Sequence, residues 1–309
     1  MNPVYLETAR LLARVVPLVF TDEVFALKGG SAINLFVRDM PRLSVDLDLV
    51  LPDCTLPREQ ALTRIDAAIR RAAERLTKRG FQTYLPVAAD MTETKLFVRQ
   101  GRVEVKIEVN PVLRGTVWPV RRAALSPRAR DVLMADLEIP LLSLEDLYGG
   151  KLVAAMDRQH PRDLFDVMQL FEHEGITPGI RRAFVVYLAS HNRPPHEVLF
   201  APPRDIRHEY EHNFVGMTAE PVALEALMTT RARMTSELRR GLDDDERRFL
   251  LSLVAGEPEW SALGIAHLEH LPGIRWKLRN LVQLRDNNPK KFAEQAAVLG
   301  ERLAARFID

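Results

Sequence analysis

The chain has 309 residues, 47% apolar and 28% charged, with 43 Lys plus Arg against 42 Asp plus Glu and a formal net charge of +1. That balance excludes a disordered acidic or basic chain, and it supplies no whole-protein field that would draw in a polyanion. A lone cysteine, Cys54, excludes an internal disulfide, there is no Cys/His zinc spacing, and a reducing cytoplasm is the expected compartment. The opening residues carry Glu7, Arg10 and Arg14 rather than a basic cap and an apolar run, so no signal peptide is expected there. No run of about 18 apolar residues occurs, so no membrane partner is expected.

In chain order, Leu6, Ala9, Leu12, Ala13 and Val16 recur at helical spacing and predict a helix from Leu6 to Val19. Val24 to Leu27 reads as a strand stopped by Gly29-Gly30, with Ser31 as the cap of a helix from Ala32 to Phe36. Val45 to Val50 alternates with period two and predicts a strand. Arg58 to Lys78, with Leu62, Ile65, Ile69 and Leu76 on one stripe, predicts a helix ending before Gly80. Phe81 to Val87, Thr94 to Arg99 and Val103 to Val109 read as strands, the last two joined by a turn at Gln100-Gly101, and Val117 to Leu125 as one more.

After Pro140 the texture changes. Ser143 opens a helix through Met156, with acids in its first turn. Pro161 to Glu174, Gly179 to Ser190, Ala219 to Arg240, Asp243 to Ala255, Gly273 to Asp286 and Pro289 to Phe307 follow as helices, with a bend at the prolines between 194 and 203. The expected organisation is an α/β part over 1–140 and a helical part over 141–309.

The chemistry-bearing residues cluster early. Asp46 and Asp48 are two apart in a strand, so they project together as hard oxygen donors of the kind Mg²⁺ takes. Glu108 on a later strand would add a third carboxylate, enough for two metal ions that activate a hydroxyl and neutralise a leaving pyrophosphate. Gly29 and Gly30 let backbone approach closely, and Ser31 offers a hydroxyl and N–H groups to phosphate. The same residues also read more plainly: Gly-Gly-Ser as a strand-to-helix turn, and Asp-x-Asp as a solvated face. Ser44 shares the side of Asp46 and Asp48, where it touches phosphate or hydrogen-bonds within the turn; Arg42 precedes it. Lys151, seven residues into its helix, is a point charge suited to polyphosphate, and a solvated lysine on the bland reading. Asp163 complements a helix start, and Asp166 shares its face and is placed to hold Arg162 or Lys151.

Lys28 to Phe36 (KGGSAINLF) followed by Pro41 to Leu49 (PRLSVDLDL) resembles the nucleotidyltransferase signature of the AbiEii/AbiGii, or MenT-like, toxin family, within the DNA polymerase β-like nucleotidyltransferase superfamily. Val105 to Asn110 resembles the family's third-carboxylate strand, and Leu147 to Ala154 and Pro161 to Val167 its two later motifs. The resemblance covers about residues 24–170. It implies an α+β fold, a polymerase β-like mixed sheet with flanking helices followed by a C-terminal helical domain. It also implies Mg²⁺-dependent transfer of NMP from an NTP to the 3′ end of tRNA, which blocks translation, in a toxin–antitoxin or phage-defence setting with a cognate antitoxin as partner. By that carry-over Asp46 and Asp48 are metal ligands, and Gly29, Gly30, Ser31 and Lys151 bind nucleotide. Asp163 belongs to the set needed for activity. Glu108 stands where an Asp is common, which leaves metal ligand, water-bridged ligand and general base all open.

The rival expectations are the same fold acting on a protein or small molecule, by nucleotidyl or phosphoryl transfer, and a non-catalytic binding module. No P-loop of the form GxxxxGK[ST] is present. The near-zero net charge hides segregation. Residues 110–130 contain Arg114, Arg121, Arg122, Arg128 and Arg130 with no acid, and residues 275–291 contain Arg275, Lys277, Arg279, Arg285, Lys290 and Lys291 against Asp286 alone. These segments, above all Arg121, Arg122, Arg128, Arg130, Arg275, Lys277 and Arg279, are the expected RNA contacts.

Overall fold

The computed structural model describes residues 3–86 and 94–305. The expected strand end at Val87 and the helix end at Phe307 lie outside the described residues. Packing divides the chain into two compact units, Met1–Leu147 with Phe214–Val222, and Tyr148–Asn213 with Ala223–Asp309.

The first unit is built on a mixed seven-stranded sheet, as expected of an α+β chain. Its strands are β1 (Ala26–Lys28), β2 (Asp46–Val50), β3 (Gln82–Tyr84), β4 (Thr94–Gln100), β5 (Val103–Val109), β6 (Arg121–Ala124) and β7 (Glu138–Leu141). They lie in the order β3-β4-β5-β2-β1-β7-β6. The β2–β5 and β1–β7 pairs are parallel and the rest antiparallel. Period two separates the faces. Leu47 and Leu49 of β2, and Val105, Ile107 and Val109 of β5, are fully buried. Each such side chain contributes about 1.5–3 kcal/mol of transfer free energy. Helices α1 (Pro3–Val19) and α3 (Arg58–Lys78) pack beside β5 and β4, with Ile65, Ile69 and Leu76 of α3 buried as its stripe requires. The alternate residues, Asp46, Asp48, Lys106 and Glu108, share the opposite face.

Two elements here differ from expectation. Helix α4 (Pro127–Leu133), capped by Ser126, and strand β7 lie where the sequence predicts no element. Strand β7 is four residues with Pro140 inside it, a composition that argues against a strand. It pairs nevertheless, with Pro140 facing Arg122 of β6 and Leu141 facing Leu27 of β1. The segment Gly29–Ala32 is a short helix, α2, followed by a wider turn over Ile33–Val37 in which Arg38 N–H donates to Ile33 O at 2.8 Å. Ser31 therefore sits inside this helix and does not cap it; Lys28 occupies the cap position.

The second unit is helical. It takes most of α5 (Leu144–Arg158), then α6 (Pro161–Glu172), α7 (Pro178–Ala189), α8 (Pro195–Leu199), α9 (Arg207–Asn213), α10 (Leu224–Gly241), α11 (Asp244–Val254), α12 (Pro272–Asn287) and α13 (Pro289–Ala304). The proline-rich bend holds the short α8. A capping box of Asp243 and Glu246 starts α11. The helix expected from Ala219 begins only at Leu224, because Pro221 interrupts it and residues 214–222 return to the first unit. There Ala219 N–H donates to Pro41 O at 2.8 Å and Leu43 N–H to Met217 O at 2.9 Å. No helix among the described residues is long and apolar enough to cross a membrane.

Candidate functional site

Strand β2 carries the acids. Its pleat sends Leu47 and Leu49 into the core, so Asp46 and Asp48 emerge together on the other face, both half-buried. The register sets Asp46 beside Lys106 and Asp48 beside Glu108 on β5, and Lys28 of β1 opposite Asp48. The basic neighbours that β2 itself lacks thus come from the strands on either side. Glu108 is engaged by Lys106 and by Lys95 of β4, the next strand beyond β5: Lys106 Nζ lies 3.2 Å and Lys95 Nζ 3.4 Å from its carboxylate. Among the described residues no three His, Cys, Asp or Glu side chains converge as one metal-binding group. The donor set on this face is the Asp46–Asp48 pair, and two hard oxygens on a rigid strand fit a divalent cation such as Mg²⁺.

The glycines are required by space. Gly29 has φ +76°, and a Cβ on it would fall 2.3 Å from Asp48 Oδ2. A Cβ on Gly30 would fall 2.7 Å from Arg42 Nη2 and 2.9 Å from Ser44 Oγ. The backbone of Lys28–Ser31 is thereby pressed against the acidic strand and the two residues that lead into it. Ser31 is buried; its hydroxyl donates to the Asp46 carbonyl and lies 3.0 Å from Ser44 Oγ. Ser44 is thereby tied to Ser31 of α2, thirteen residues away in sequence. Arg42 is also buried, and its Nη1 donates to Leu43 O at 2.9 Å. Asn34 Nδ2 donates to Gly30 O at 3.0 Å and holds the glycine carbonyl.

A second polar cluster lies in the helical unit. Lys151 Nζ on α5 sits 2.9 Å from Asp163 Oδ1 and 2.9 Å from Asp166 Oδ2 on α6, and all three side chains are buried. Asp166 holds Lys151, one of the two partners expected of it. Arg158 Nη2 reaches Asp163 Oδ2 at 2.8 Å. Burial alone would raise the Asp163 pKa, but Lys151 and Arg158 outweigh it and hold the carboxyl below its ordinary range. Gly149, two residues before Lys151, allows α5 to touch α7: a Cβ there would meet the Ala183 backbone at 2.8 Å.

The expected RNA contacts separate on inspection. Arg121, Arg122, Arg128 and Arg130 are exposed in the first unit, and Arg275 and Arg279 in the second. Arg122 is paired, 3.0 Å from Glu23 and 3.1 Å from Glu138, acids distant in sequence. Lys277 is a correction to the expected basic surface: its side chain is buried and donates to His191 O at 2.9 Å and Arg193 O at 2.8 Å. Burial brings its pKa down to about 8. Arg114 is likewise buried, on Pro111 O at 2.8 Å.

Sequence reasoning missed Lys28, Lys95 and Lys106, whose signal is their alignment with acids across strands, visible only once register is known. It missed Arg158, two residues beyond the expected helix end at Met156. It also read Asp146 only as a first-turn acid. Asp146 is buried and accepts from the backbone N–H groups of Val117 at 2.9 Å and Trp118 at 2.8 Å, anchoring the loop before β6.

The profile described as nucleotidyl transferase AbiEii toxin, Type IV TA system, matches residues 10–280. Among solved structures, MenT4, a nucleotidyltransferase toxin from Mycobacterium tuberculosis, shares the fold with a TM-score of 0.59 at 19% identity, over 89% of this chain and 94% of that one. No curated protein sequence matches the chain significantly.

Proposed function

The chain belongs to the AbiEii nucleotidyltransferase toxin family, and on that premise we propose that it transfers NMP from an NTP to the 3′ end of tRNA with Mg²⁺, blocking translation in the cytoplasm until a cognate antitoxin restrains it. The observation that carries this reading is the approach of Gly29 to Asp48, which leaves no room for a Cβ and sets a bare backbone edge beside a carboxylate pair. Backbone without side chains suits close packing against phosphate oxygens. Asp46 and Asp48 would hold Mg²⁺. The cation, when bound, supplies charge neutralisation to the triphosphate and to the departing pyrophosphate.

The protein's own groups do the rest. Gly29 and Gly30 shape the phosphate-facing edge, while Ser31 fixes that edge to β2 through the Asp46 carbonyl. Arg42 and Ser44 back Gly30 and limit its movement. Glu108, held by Lys95 and Lys106, stands next to Asp48 in the acidic row, and in this reading it would take the acceptor hydroxyl proton. Asp163 and Asp166 hold Lys151 in one orientation in the helical unit, and we assign this cluster to the set needed for activity. Phage defence is the setting in which such a toxin would act.

The test is labelling. The protein is incubated with Mg²⁺, each α-labelled NTP in turn and total bacterial RNA. Label on tRNA with the wild type, lost in Asp48→Ala, is expected. Label on protein, transfer of γ-label, or no transfer in the presence of every NTP would overturn the reading.

A further inference from the structure

The helical unit contains a cleft of about 590 Å³, within the range of small-molecule sites. It is lined by apolar groups such as Met156 on α5, Met234 on α10 and Pro202 after α8, and by Arg231, Arg239 and Arg240 of α10, with no carboxylate among the described lining residues. Arg231 donates to neutral acceptors, Nη1 lying 3.1 Å from Gln159 Oε1 and 2.6 Å from Arg204 O. Arg239 Nε donates to Leu199 O at 2.8 Å. Its guanidinium also stands 5.1 Å from the Phe200 ring centroid, and that of Arg302 stands 5.7 Å from the same ring.

Neither Arg231 nor Arg239 forms an ion pair among the described residues. Burial lowers the pKa of Arg231, and burial with the like charge of Arg302 lowers that of Arg239. Arg231 and Arg239 lie eight residues apart on α10, about 12 Å of helix, and each brings a partly desolvated positive charge to the cleft, with Asp205 the acid that acts on Arg231; an anion in the cleft would offset that desolvation. The forked donors match a phosphate, and the ring with its arginines and the methionines match a base face.

We propose that this cleft holds an unpaired nucleotide of an RNA strand, with the two phosphates that flank it on Arg231 and Arg239 and its base against Phe200 and the methionines. The inference rests on the reading of RNA as acceptor and adds to it a grip that is separate from the acidic strand.

The probe is a fluorescein-labelled single-stranded RNA oligonucleotide, titrated with the full chain in parallel with an NTP. The double variant Arg231→Ala/Arg239→Ala is expected to weaken RNA binding about tenfold or more and to reduce the salt slope by about 1.4, for two lost phosphate contacts on a single strand. NTP binding should be unchanged, which also reports a folded protein. A probe in which methylphosphonate linkages remove the phosphate charges should lose comparable affinity for the wild type, independent of any effect of substitution on folding. Unchanged affinity of the double variant would overturn the proposal. If the wild type labels no RNA yet loses oligonucleotide binding on substitution, nucleotidyl transfer to RNA fails and the cleft assignment stands. If RNA is labelled with unchanged KM in the double variant, the cleft assignment fails and the transfer reading stands.

Discussion

At the residue scale, Gly29 and Asp48 define each other. A methyl group on Gly29 would displace the Asp48 carboxylate, since its Cβ falls 2.3 Å from Oδ2, and φ +76° disfavours any L side chain. Gly29→Ala is therefore expected to lower transfer at least tenfold. It should also cost more than about 1 kcal/mol in stability, seen as a melting shift of at least roughly 2 °C. A thermal melt beside a labelling assay checks both; full activity in a stably folded Gly29→Ala would show that the close approach has no catalytic role. The pair was legible in the sequence, because Gly-Gly-Ser and Asp-x-Asp are local patterns. What was not legible was why the pair is tolerated: Lys28, Lys95 and Lys106 flank the acids only through strand register. The lysine pairs on Glu108 are more than a fifth exposed on both sides, so Lys95→Ala is expected to change stability by under about 1 kcal/mol in a denaturant titration.

At the element scale, α5 and α6 are joined by buried charge. Lys151→Met would leave Asp166 buried without its cation and Asp163 with Arg158 alone. Removing one member of a buried pair costs about 3–5 kcal/mol, so urea unfolding of Lys151→Met should show a loss of that size. A change below 1 kcal/mol would mean that the cluster is solvated. The cluster also sets an acid limit. Asp163 titrates below its ordinary value of 3.8 in the folded state, so its ionised form favours folding. That contribution is present above the ordinary value and is lost as pH falls through the folded one. Asp163→Asn should flatten the fall of stability below pH 4, measured as melting temperature against pH. The long elements were readable from periodicity: α3 and β5 occur over the residues their apolar spacing predicted. The elements that escaped were short or contained proline. Strand β7 exists because β1 and β6 offer it backbone partners, which is tertiary information. Lys151 shows the same limit in a side chain, since a lysine on a helix reads as solvated until two aspartates twelve and fifteen residues away are seen to bury it.

At the scale of the whole molecule, net charge is a poor guide to local field. The total of +1 coexists with an acidic row on the sheet and an arginine-lined cleft in the helices. Sequence runs of arginine overstate the exposed charge, because Arg114 and Lys277 are interior and Arg122 is paired. Reversing Arg121, Arg128 and Arg130 to Glu, or Arg275 and Arg279 to Glu, is expected to weaken RNA labelling and its salt dependence together while NTP binding survives. Labelling that is indifferent to both sets of reversals would mean that the exposed arginines do not carry the acceptor.

The central claim is that Asp46 and Asp48 support transfer of a nucleotide to RNA. Its most direct measurement is the mass of the RNA 3′ fragment after incubation with Mg²⁺ and an NTP. The account predicts a gain of one or more NMP units with stoichiometric pyrophosphate release, absent in Asp46→Asn and in Asp48→Asn. An unchanged RNA mass with the wild type, or a gain that persists in both variants, would contradict it.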